Sequence, residues 1–300
     1  MSYVQYTRFF EVYMKKLLLL LISVTIILSG CAFIFNPEPE TGYNSPYATD
    51  VNGNFVPVHD DVDESVLDPM LFYKDENGRM KYSDTTRDYL TGIDVSVFQG
   101  NVNWESVAAD GIDFVILRIG YRGYGSKGIM GIDNKFYENY DGAVNAGLNV
   151  GAYFYSQATN AEEAREEAQY VLAALGDREL QMPVVYDWEY VDNAEARTAN
   201  MTSEQITECA VTFCNEIELS GREVMIYFNR EIGYFEYDLA RISGYDFWLA
   251  EYCEYPTFIY KFNMWQYTDS GTVNGINSKV DMNIYFPHED VADENITQYG

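Results

Sequence analysis

Residues 148–190 read LNVGAYFYSQATNAEEAREEAQYVLAALGDRELQMPVVYDWEY, and this stretch decides the fold. It opens with an apolar run rich in aromatic residues and ends with a second apolar run, MPVVYDWEY. Between them, acidic and apolar residues alternate at the spacing of a helix, which predicts a solvated amphipathic helix. A strand, a helix and a second strand in this order predict two parallel strands joined by a crossover helix.

The same alternation extends to both sides of this unit. The apolar runs are GIDVSVF (92–98), DFVILRIG (113–120), LNVGAYFYS (148–156), MPVVYDWEY (182–190), REVMIYFN (222–229), DFWLAEY (246–252), FNMWQYT (262–268) and VDMNIYF (280–286). Segments of helical character separate the earlier runs and end near glycine, as helices often do. Eight strands with crossover helices predict an α/β fold, a closed barrel of the (β/α)8 kind. The last three runs are joined by segments too short for helices, so we expect an irregular, TIM-like barrel.

Acidic residues follow or begin several of these runs. Asp187 and Glu189 end the fourth run, and because residues i and i+2 of a strand face the same way, we expect them on one side and Trp188 on the other. Functional residues of such barrels lie at the carboxyl ends of the strands. Asp94 lies in the first run and Asp281 opens the last, and the first and last strands of a closed barrel are neighbours. We therefore expect these four acids to ring one pocket.

A ring of carboxyl groups favours the cleavage of glycosidic bonds. One protonated carboxyl donates to the leaving oxygen while other carboxylates stabilise the developing positive charge. Crowded acids also raise the pKa of at least one member, which keeps a proton available near neutral pH. A lone Asp is more often a helix cap or a ligand of loop amides, but the Asp-x-Glu pair after an apolar strand favours function. Residues expected to line the pocket are Tyr155, Tyr227, Trp248, Tyr252, Trp265 and Gln266.

The composition excludes several other classes of protein. The 300 residues carry a formal charge of −28, which is the opposite of the electrostatic footprint of a nucleic-acid-binding protein. The chain has two histidines, His59 and His288, too few for a Ser-His-Asp triad or a histidine-rich zinc site. We expect neither a cofactor nor a metal. Cys209, Cys214 and Cys253 are expected to be buried thiols rather than parts of a disulfide framework.

The amino-terminal sequence has the features of an export signal. Residues 14–31 read MKKLLLLLISVTIILSGC: two lysines, a 12-residue apolar stretch and then Cys31. The stretch is shorter than the roughly 20 residues that a transmembrane helix needs, and its end resembles the lipobox of bacterial lipoproteins. We expect lipidation at Cys31 and a location on the outer face of the bacterial membrane. An ordinary signal peptide or an uncleaved anchor is the alternative, and translation starts at Met1 or Met14.

These features divide the chain into segments. We expect a lipoprotein signal peptide over 1–30, and a lipidated cysteine with an acidic tether over 31–90. Within the tether, Asn77 and Gly78 indicate a hairpin over 71–83. The barrel is expected over 91–290, followed by a carboxyl-terminal tail over 291–300.

Several motifs, in order, resemble the glycoside hydrolase family 25 lysozymes: GIDVSVFQG, VNWESVAADGIDFVILRIGYRGYG, GAYFYSQA, VVYDWEY, IYFN, FWLAEY, MWQYT and VDMN. The resemblance implies an irregular (β/α)5β3 barrel that cleaves the β-1,4 bond between N-acetylmuramic acid and N-acetylglucosamine in the glycan strands of peptidoglycan. It implies that Glu189 is the general acid. It also implies that Asp187 orients the acetamido group of the sugar or stabilises the charge at the anomeric carbon. Asp94 and Asp281 would activate water or stabilise charge.

One motif departs from the family pattern. Some members have Lys-x-Ser/Thr-Glu-Gly on the second strand, where this chain has RIGYRG from Arg118 to Gly123. Arg118 keeps a positive charge and is a candidate for substrate binding, but the acid is absent. Both inversion and substrate-assisted retention remain open. Two other functions remain open: a wall-binding lipoprotein without turnover, and a hydrolase that holds a divalent metal through Asp187, Glu189 and Asp281.

Overall fold

The structure is a computed structural model that describes residues 47–288. The predicted signal peptide, the predicted lipidation site at Cys31 and the predicted carboxyl-terminal tail lie outside the described residues. Among the residues described, no helix has the length and apolar character needed to cross a membrane.

Strands and helices alternate through most of the described chain. The strands are β1 (Tyr47–Thr49), β2 (Phe55–Pro57), β3 (Phe72–Lys74), β4 (Met80–Tyr82), β5 (Leu90–Val95), β6 (Phe114–Arg122), β7 (Met130–Ile132), β8 (Asn149–Ser156), β9 (Val184–Trp188), β10 (Val224–Asn229), β11 (Asp246–Ala250), β12 (Met264–Gly271) and β13 (Val280–Tyr285). The α-helices are α1 (Trp104–Ala109), α2 (Phe136–Asn145), α3 (Ala161–Leu175), α4 (Ser203–Leu219), α5 (Arg230–Phe235) and α6 (Leu239–Ile242).

Eight of these strands close into a barrel, in the order β5, β6, β8, β9, β10, β11, β12 and β13. Neighbours from β5 to β12 are parallel, whereas β13 runs antiparallel to both β12 and β5. The predicted closed, irregular barrel is confirmed. The short strand β7 is an addition that the sequence did not predict, and it pairs antiparallel with the end of β6.

The helices cover the outside of the barrel up to β11, and in the described chain no helix joins β11, β12 and β13. This is the irregularity that the short connections predicted. One apolar layer fills the space between barrel and helices, and a second fills the interior around Phe114, Val185 and Met225. Cys209 and Cys214 lie buried on α4 as free thiols, and Cys253 is a half-buried free thiol, which agrees with the prediction.

The helix α3 is less solvated than its sequence suggests. Glu167 on this helix is fully buried and accepts a hydrogen bond from Nε of Arg122 at 2.7 Å. It also accepts one from the hydroxyl of Ser156 at 2.6 Å. The prediction of a solvated helix is therefore wrong at this position. One carboxylate of the acidic run, that of Glu167, faces the barrel and is paired with Arg122 there.

The segment from Tyr47 to residue 89 is folded against the barrel, so the predicted tether does not describe this part of the chain. The strands β3 and β4 form an antiparallel hairpin around the turn that contains Asn77 and Gly78. Phe72 of this hairpin packs edge-on against Trp265, with ring centroids 5.1 Å apart. The prediction from the acidic, turn-rich composition overlooked the apolar residues that are spaced along this segment. Those that are buried are Val56, Val62, Leu67, Phe72, Met80 and Tyr82.

Candidate active site

The acids predicted from the sequence converge at one end of the barrel. Asp94 is near the carboxyl end of β5, and Asp187 and Glu189 are at and just beyond the end of β9. Asp281 lies directly opposite Asp94 in the antiparallel pair of β5 and β13. A barrel of only parallel strands would put the start of the last strand at the far end. The reversed direction of β13 is what brings Asp281 to the same mouth.

An open cleft of about 670 Å³ lies over these acids. Its walls come from β8 and from the segments that follow β5, β6, β7 and β9. A second hollow of about 170 Å³ continues on the other side, towards Tyr227, Trp248 and Tyr252. The residues shared by the two parts are Asp94, Tyr153, Asp187, Glu189 and Asp281. The carboxyl groups therefore lie in the middle of a groove that offers space on both sides.

Two side-chain amides hold Asp94 in place. Its Oδ2 accepts hydrogen bonds from Nε2 of Gln266 at 2.8 Å and from Nδ2 of Asn283 at 2.9 Å. All three side chains are buried. Gln266 and Asn283 lie opposite each other on β12 and β13, so the sheet itself fixes the two donors. Because amide donors favour the charged form of a carboxylate, this arrangement supports an ionised Asp94.

These two amides are in turn oriented by aromatic side chains. Oε1 of Gln266 accepts hydrogen bonds from the hydroxyls of Tyr227 at 3.1 Å and Tyr252 at 2.8 Å. Oδ1 of Asn283 accepts one from Nε1 of Trp248 at 2.9 Å. Each amide therefore presents its oxygen to an aromatic donor and its nitrogen to Asp94. The direction of every hydrogen bond in this network is fixed.

Burial and mutual repulsion raise the pKa of the acids in the cleft. Burial raises the pKa of Asp187 well above its usual value, and the charges of Glu189 and Asp94 add to this. Burial, with the charge of Asp94, also raises the pKa of Glu189. Asp281 has a pKa raised to about 8, first by burial and then by Asp94, to which it is hydrogen-bonded. Burial raises the pKa of Asp94 too, although its amide donors oppose the shift.

One carboxylate oxygen in the cleft is unsatisfied. Oδ1 of Asp187 is buried and has no hydrogen-bond partner among the described residues. Tyr155 and Tyr227 lie beside Asp187 on the two neighbouring strands. A buried acceptor without a donor is costly, so this oxygen favours either a proton or a donor supplied by a ligand.

The backbone of Glu189 is tied to the wall of the barrel by Gln157. Nε2 of Gln157 donates to the carbonyl oxygen of Glu189 at 3.3 Å, and Oε1 of Gln157 accepts from the hydroxyl of Thr198 at 2.8 Å. The backbone N–H of Gln157 donates to the buried Glu167 at 3.3 Å. The buried pair of Glu167 and Arg122 therefore supports the segment that carries Glu189.

Arg118 lines the larger part of the cleft, as the sequence suggested. Its Nε donates to Oδ2 of Asp133 at 2.8 Å. Its guanidinium lies over the ring of Phe98, 4.8 Å from the centroid. Phe98 is 77% exposed at the rim. Arg118 thus has a fixed orientation, and its charge lowers the pKa of Asp187 against the larger effect of burial.

The structure places six of the seven predicted lining residues at the cleft, namely Arg118, Tyr155, Tyr227, Trp248, Tyr252 and Gln266. The prediction for Trp265 is wrong. Its side chain is fully buried on the outer face of β12, where Nε1 donates to the carbonyl oxygen of Glu251 at 2.8 Å. Adjacent residues of a strand face opposite ways, so Gln266 and Trp265 are on opposite sides of the barrel wall.

The sequence analysis missed several residues of the site. Asn283 is two positions after Asp281 on the same strand, and this spacing alone places both side chains on the same face. Tyr153 precedes Tyr155 by two positions and shares its face in the same way. Phe98 ended the first predicted run, but the strand stops at Val95 and Phe98 lies in a 3-10 turn beyond it. Asp133 follows β7, where no periodicity points to the cleft. Among residues 47–288, no group of three or more His, Cys, Asp or Glu side chains is placed to hold a metal ion.

Comparison with known families matches residues 93–276 to Glycosyl hydrolases family 25. The match covers more than half of the chain, and the chain belongs to this family. The closed barrel agrees with this assignment.

Two proteins to which this chain is similar are lysozymes. The chain is 26% identical over 195 residues to the autolytic lysozyme of Clostridium acetobutylicum, covering 64% of this chain and 55% of that one. It is 28% identical over 210 residues to Lysozyme M1 of Streptomyces globisporus, covering 65% and 67%. The chain thus spans little more than half the length of the clostridial protein.

A solved structure shows the same fold. The modular autolysin LytC of Streptococcus pneumoniae, determined in complex with a synthetic peptidoglycan ligand, superposes with a TM-score of 0.59 at 22% identity. The superposition covers 80% of this chain and 56% of LytC.

Proposed function

We propose that this protein is a peptidoglycan hydrolase, a muramidase that cleaves the β-1,4 bond between N-acetylmuramic acid and N-acetylglucosamine. The observation that carries the proposal is the convergence of Asp94, Asp187, Glu189 and Asp281 in one groove, with raised pKa values. Membership of family 25 and the names of two relatives, both lysozymes, support the choice of substrate.

Glu189 is the general acid in this proposal. Its pKa is raised by burial and by the charge of Asp94, so it keeps a proton at a pH where an exposed glutamate has lost it. That proton goes to the oxygen of the leaving sugar as the glycosidic bond breaks. The fixed position of its backbone, held by Gln157, aims the carboxyl into the groove.

Asp187 binds the acetamido group of the sugar at the scissile bond. Its free, buried Oδ1 is an acceptor that the N–H of an acetamido group would satisfy. A carboxylate there would also stabilise the positive charge that develops at the anomeric carbon. Both uses are compatible with inversion and with substrate-assisted retention.

Asp94 and Asp281 act as a pair that shares a proton. The amides of Gln266 and Asn283 favour the ionised form of Asp94, while the pKa of Asp281 is raised to about 8. The ionised member provides negative charge beside the developing cation and a base for an incoming water. The resulting arrangement of one charged and one protonated acid avoids two adjacent negative charges.

The groove extends on both sides of the acids, which fits a polymer cleaved within its length. Sugar rings on the larger side would meet Phe98, Arg118 and Tyr155, and those on the smaller side would meet Trp248 and Tyr252. Such aromatic rings offer apolar faces to the C–H faces of a sugar. No nucleic acid is proposed as a partner, since the chain is strongly acidic.

We further propose that the protein is attached to the outer face of the bacterial membrane through a lipid on Cys31. The support is the sequence: two lysines, an apolar stretch and the ending Leu28-Ser29-Gly30-Cys31. Metabolic labelling with a radioactive fatty acid tests this proposal. Label should appear in the wild type and be lost in Cys31→Ala, and equal labelling of both would overturn it.

The enzymatic proposal is tested with insoluble cell walls and the variant Glu189→Gln, which keeps the shape of the side chain and removes the acid. General acid catalysis contributes roughly 10²- to 10⁴-fold, so the release of soluble fragments should fall by that order. Glu195→Gln is the matched control, because Glu195 is exposed on the same segment.

A wild type that binds walls but releases nothing would instead support the wall-binding function. Loss of activity with a chelator would support the metal-dependent one.

A further inference from the structure

The amino-terminal segment before the family domain contacts the loops that form the catalytic end of the barrel. Asp50 lies in the turn between β1 and β2, and its side chain is fully buried. Its Oδ2 pairs with NH2 of Arg230 at 2.9 Å, across 180 residues of sequence. Arg230 is the first residue of α5 and follows directly on β10, at the end of the barrel that carries the acids.

Arg230 also connects to the segment that follows β11. Its Nε is 3.6 Å from Oε1 of Glu251. Oε2 of Glu251 accepts a hydrogen bond from the backbone N–H of Thr257 at 2.7 Å, and Oε1 accepts one from the Thr257 hydroxyl. Glu251 therefore closes the loop 251–257 on itself, and Arg230 links that loop to Asp50.

A second contact joins the same two segments. The hydroxyl of Tyr255 donates to Oδ1 of Asn52 at 3.0 Å. The loop 251–257 is thus held to the amino-terminal turn at two points, one of them an ion-paired side chain and the other a hydrogen bond. The turn itself is rigid, because Oδ1 of Asp50 accepts from the backbone N–H groups of Asn52 and Asn54, each at 2.9 Å.

This loop carries Tyr252, which lines the smaller part of the groove. The Tyr252 hydroxyl donates to Gln266, and Gln266 donates to Asp94. A continuous set of polar contacts therefore runs from the amino-terminal turn through the loop to an acid of the site. Tyr252 is 55% exposed, so its position depends on the loop rather than on surrounding packing.

We propose that Asp50 is a positioning residue for the groove: through Arg230 and Glu251 it orders the loop that presents Tyr252 to the substrate. Asp50 lies outside residues 93–276, which match the family, so the contact is contributed by the segment that precedes the family domain. The segment between Tyr47 and β5 thus has a role in shaping the site as well as in covering the barrel. The kinetic consequence rests on the proposed muramidase function, whereas the structural consequence does not.

A matched control exists within the chain. The turn at Asp75 has the same form as the turn at Asp50: Oδ1 of Asp75 accepts from the N–H groups of Asn77 and Arg79, and Gly78 has a positive φ of 75° where Gly53 has 79°. The Asp75 turn lies in the β3–β4 hairpin, on the outside of the barrel. Asp50→Asn and Asp75→Asn therefore perturb equivalent turns, but only the first removes a charge that faces Arg230.

Hydrogen–deuterium exchange tests the ordering of the loop without reference to activity. In Asp50→Asn, the amides of Cys253 and Thr257, both hydrogen-bonded to Glu251, should exchange at least ten times faster than in the wild type. Asp75→Asn should leave them unchanged. Unaltered exchange in Asp50→Asn, or equal acceleration in both variants, would overturn the proposal.

Kinetics on soluble glycan fragments test the link to the groove. Asp50→Asn should raise KM roughly three- to tenfold with kcat within about twofold, as expected when ground-state and transition-state binding are lost equally. In a Tyr252→Phe background the same change should have little further effect, because residues in one network are not additive. Full additivity, or a fall in kcat alone, would overturn the proposal. If the wild type cleaves no glycan, the proposed function fails, and the exchange experiment still decides on the positioning role.

Discussion

Asp281 on β13 lies directly opposite Asp94 on β5, and their carboxyl groups share a hydrogen bond. The two side chains meet because the last strand of the barrel runs antiparallel to the first. Burial and the neighbouring charge raise the pKa of Asp281 to about 8, from a usual value of 3.8. This pair therefore holds a proton through the neutral pH range.

The shared proton makes stability depend on pH. Between about pH 4 and pH 8 the folded state keeps a proton that the unfolded state has released, so the free energy of unfolding should fall as pH rises through this window. In Asp281→Asn the amide donates to Asp94 at every pH, and the decline should be shallower. Denaturant unfolding at several pH values measures this, with the exposed Asp141→Asn as control. An equal or steeper decline in Asp281→Asn would contradict the assignment.

The charge of Asp94 should be visible in the pH–rate profile. Asp94 raises the pKa of Glu189, and activity should fall as pH rises and Glu189 loses its proton. In Asp94→Asn that charge is absent, so the residual activity should be lower and its alkaline limb should move to lower pH. The profile of kcat/KM on soluble glycan measures the shift. A limb that stays in place or moves to higher pH would show that Asp94 does not act on Glu189.

Asn283 should contribute both to the stability of the fold and to the ionised state of Asp94. Asn283→Leu leaves Asp94 without one donor and Nε1 of Trp248 without its acceptor. An unsatisfied buried polar group costs about 1–3 kcal/mol, so the free energy of unfolding should fall by that order. Chemical denaturation tests this against Asn145→Leu on the exposed face of α2. Equal losses in the two variants would indicate that the network contributes nothing specific.

Breaking the ion pair of Arg122 and Glu167, beside the cleft, should lower the free energy of unfolding strongly. Both side chains are buried, and Glu167 has a pKa raised by burial to about 7. Arg122→Met leaves a buried carboxylate without its partner, which typically costs about 3–5 kcal/mol. The double variant with Glu167→Met should recover most of that loss, as measured by urea unfolding. A double variant less stable than Arg122→Met would contradict this account.

The barrel was predictable because its signals are local and repeated. Apolar runs of strand length alternate with helical patterns, and the Asp-x-Glu pair follows the fourth run. The direction of β13 was not predictable in this way, because a strand carries the same period whichever way it runs. The antiparallel pairing of β13 with both β12 and β5 reveals it.

Two of the wrong predictions concern which face of a strand or helix a side chain occupies, and a third concerns the tether. Trp265 and Gln266 were both expected in the groove, although adjacent residues on a strand face opposite sides. Glu167 lies in a run of acids, and its burial depends on Arg122 from a distant strand. The tether was predicted from composition, which does not show that Phe72 and Tyr82 are spaced to pack against the rings of Trp265 and Phe286.

The most direct test of the account is the identity of the bond that is cut. Wild-type protein is incubated with peptidoglycan of defined composition, and the fragments are reduced and examined by mass spectrometry. Fragments that end in reduced N-acetylmuramic acid, and that are lost with Glu189→Gln but not with Glu195→Gln, are the predicted result. Fragments that end in reduced N-acetylglucosamine, or cleavage confined to the peptides, would contradict the assignment of a muramidase.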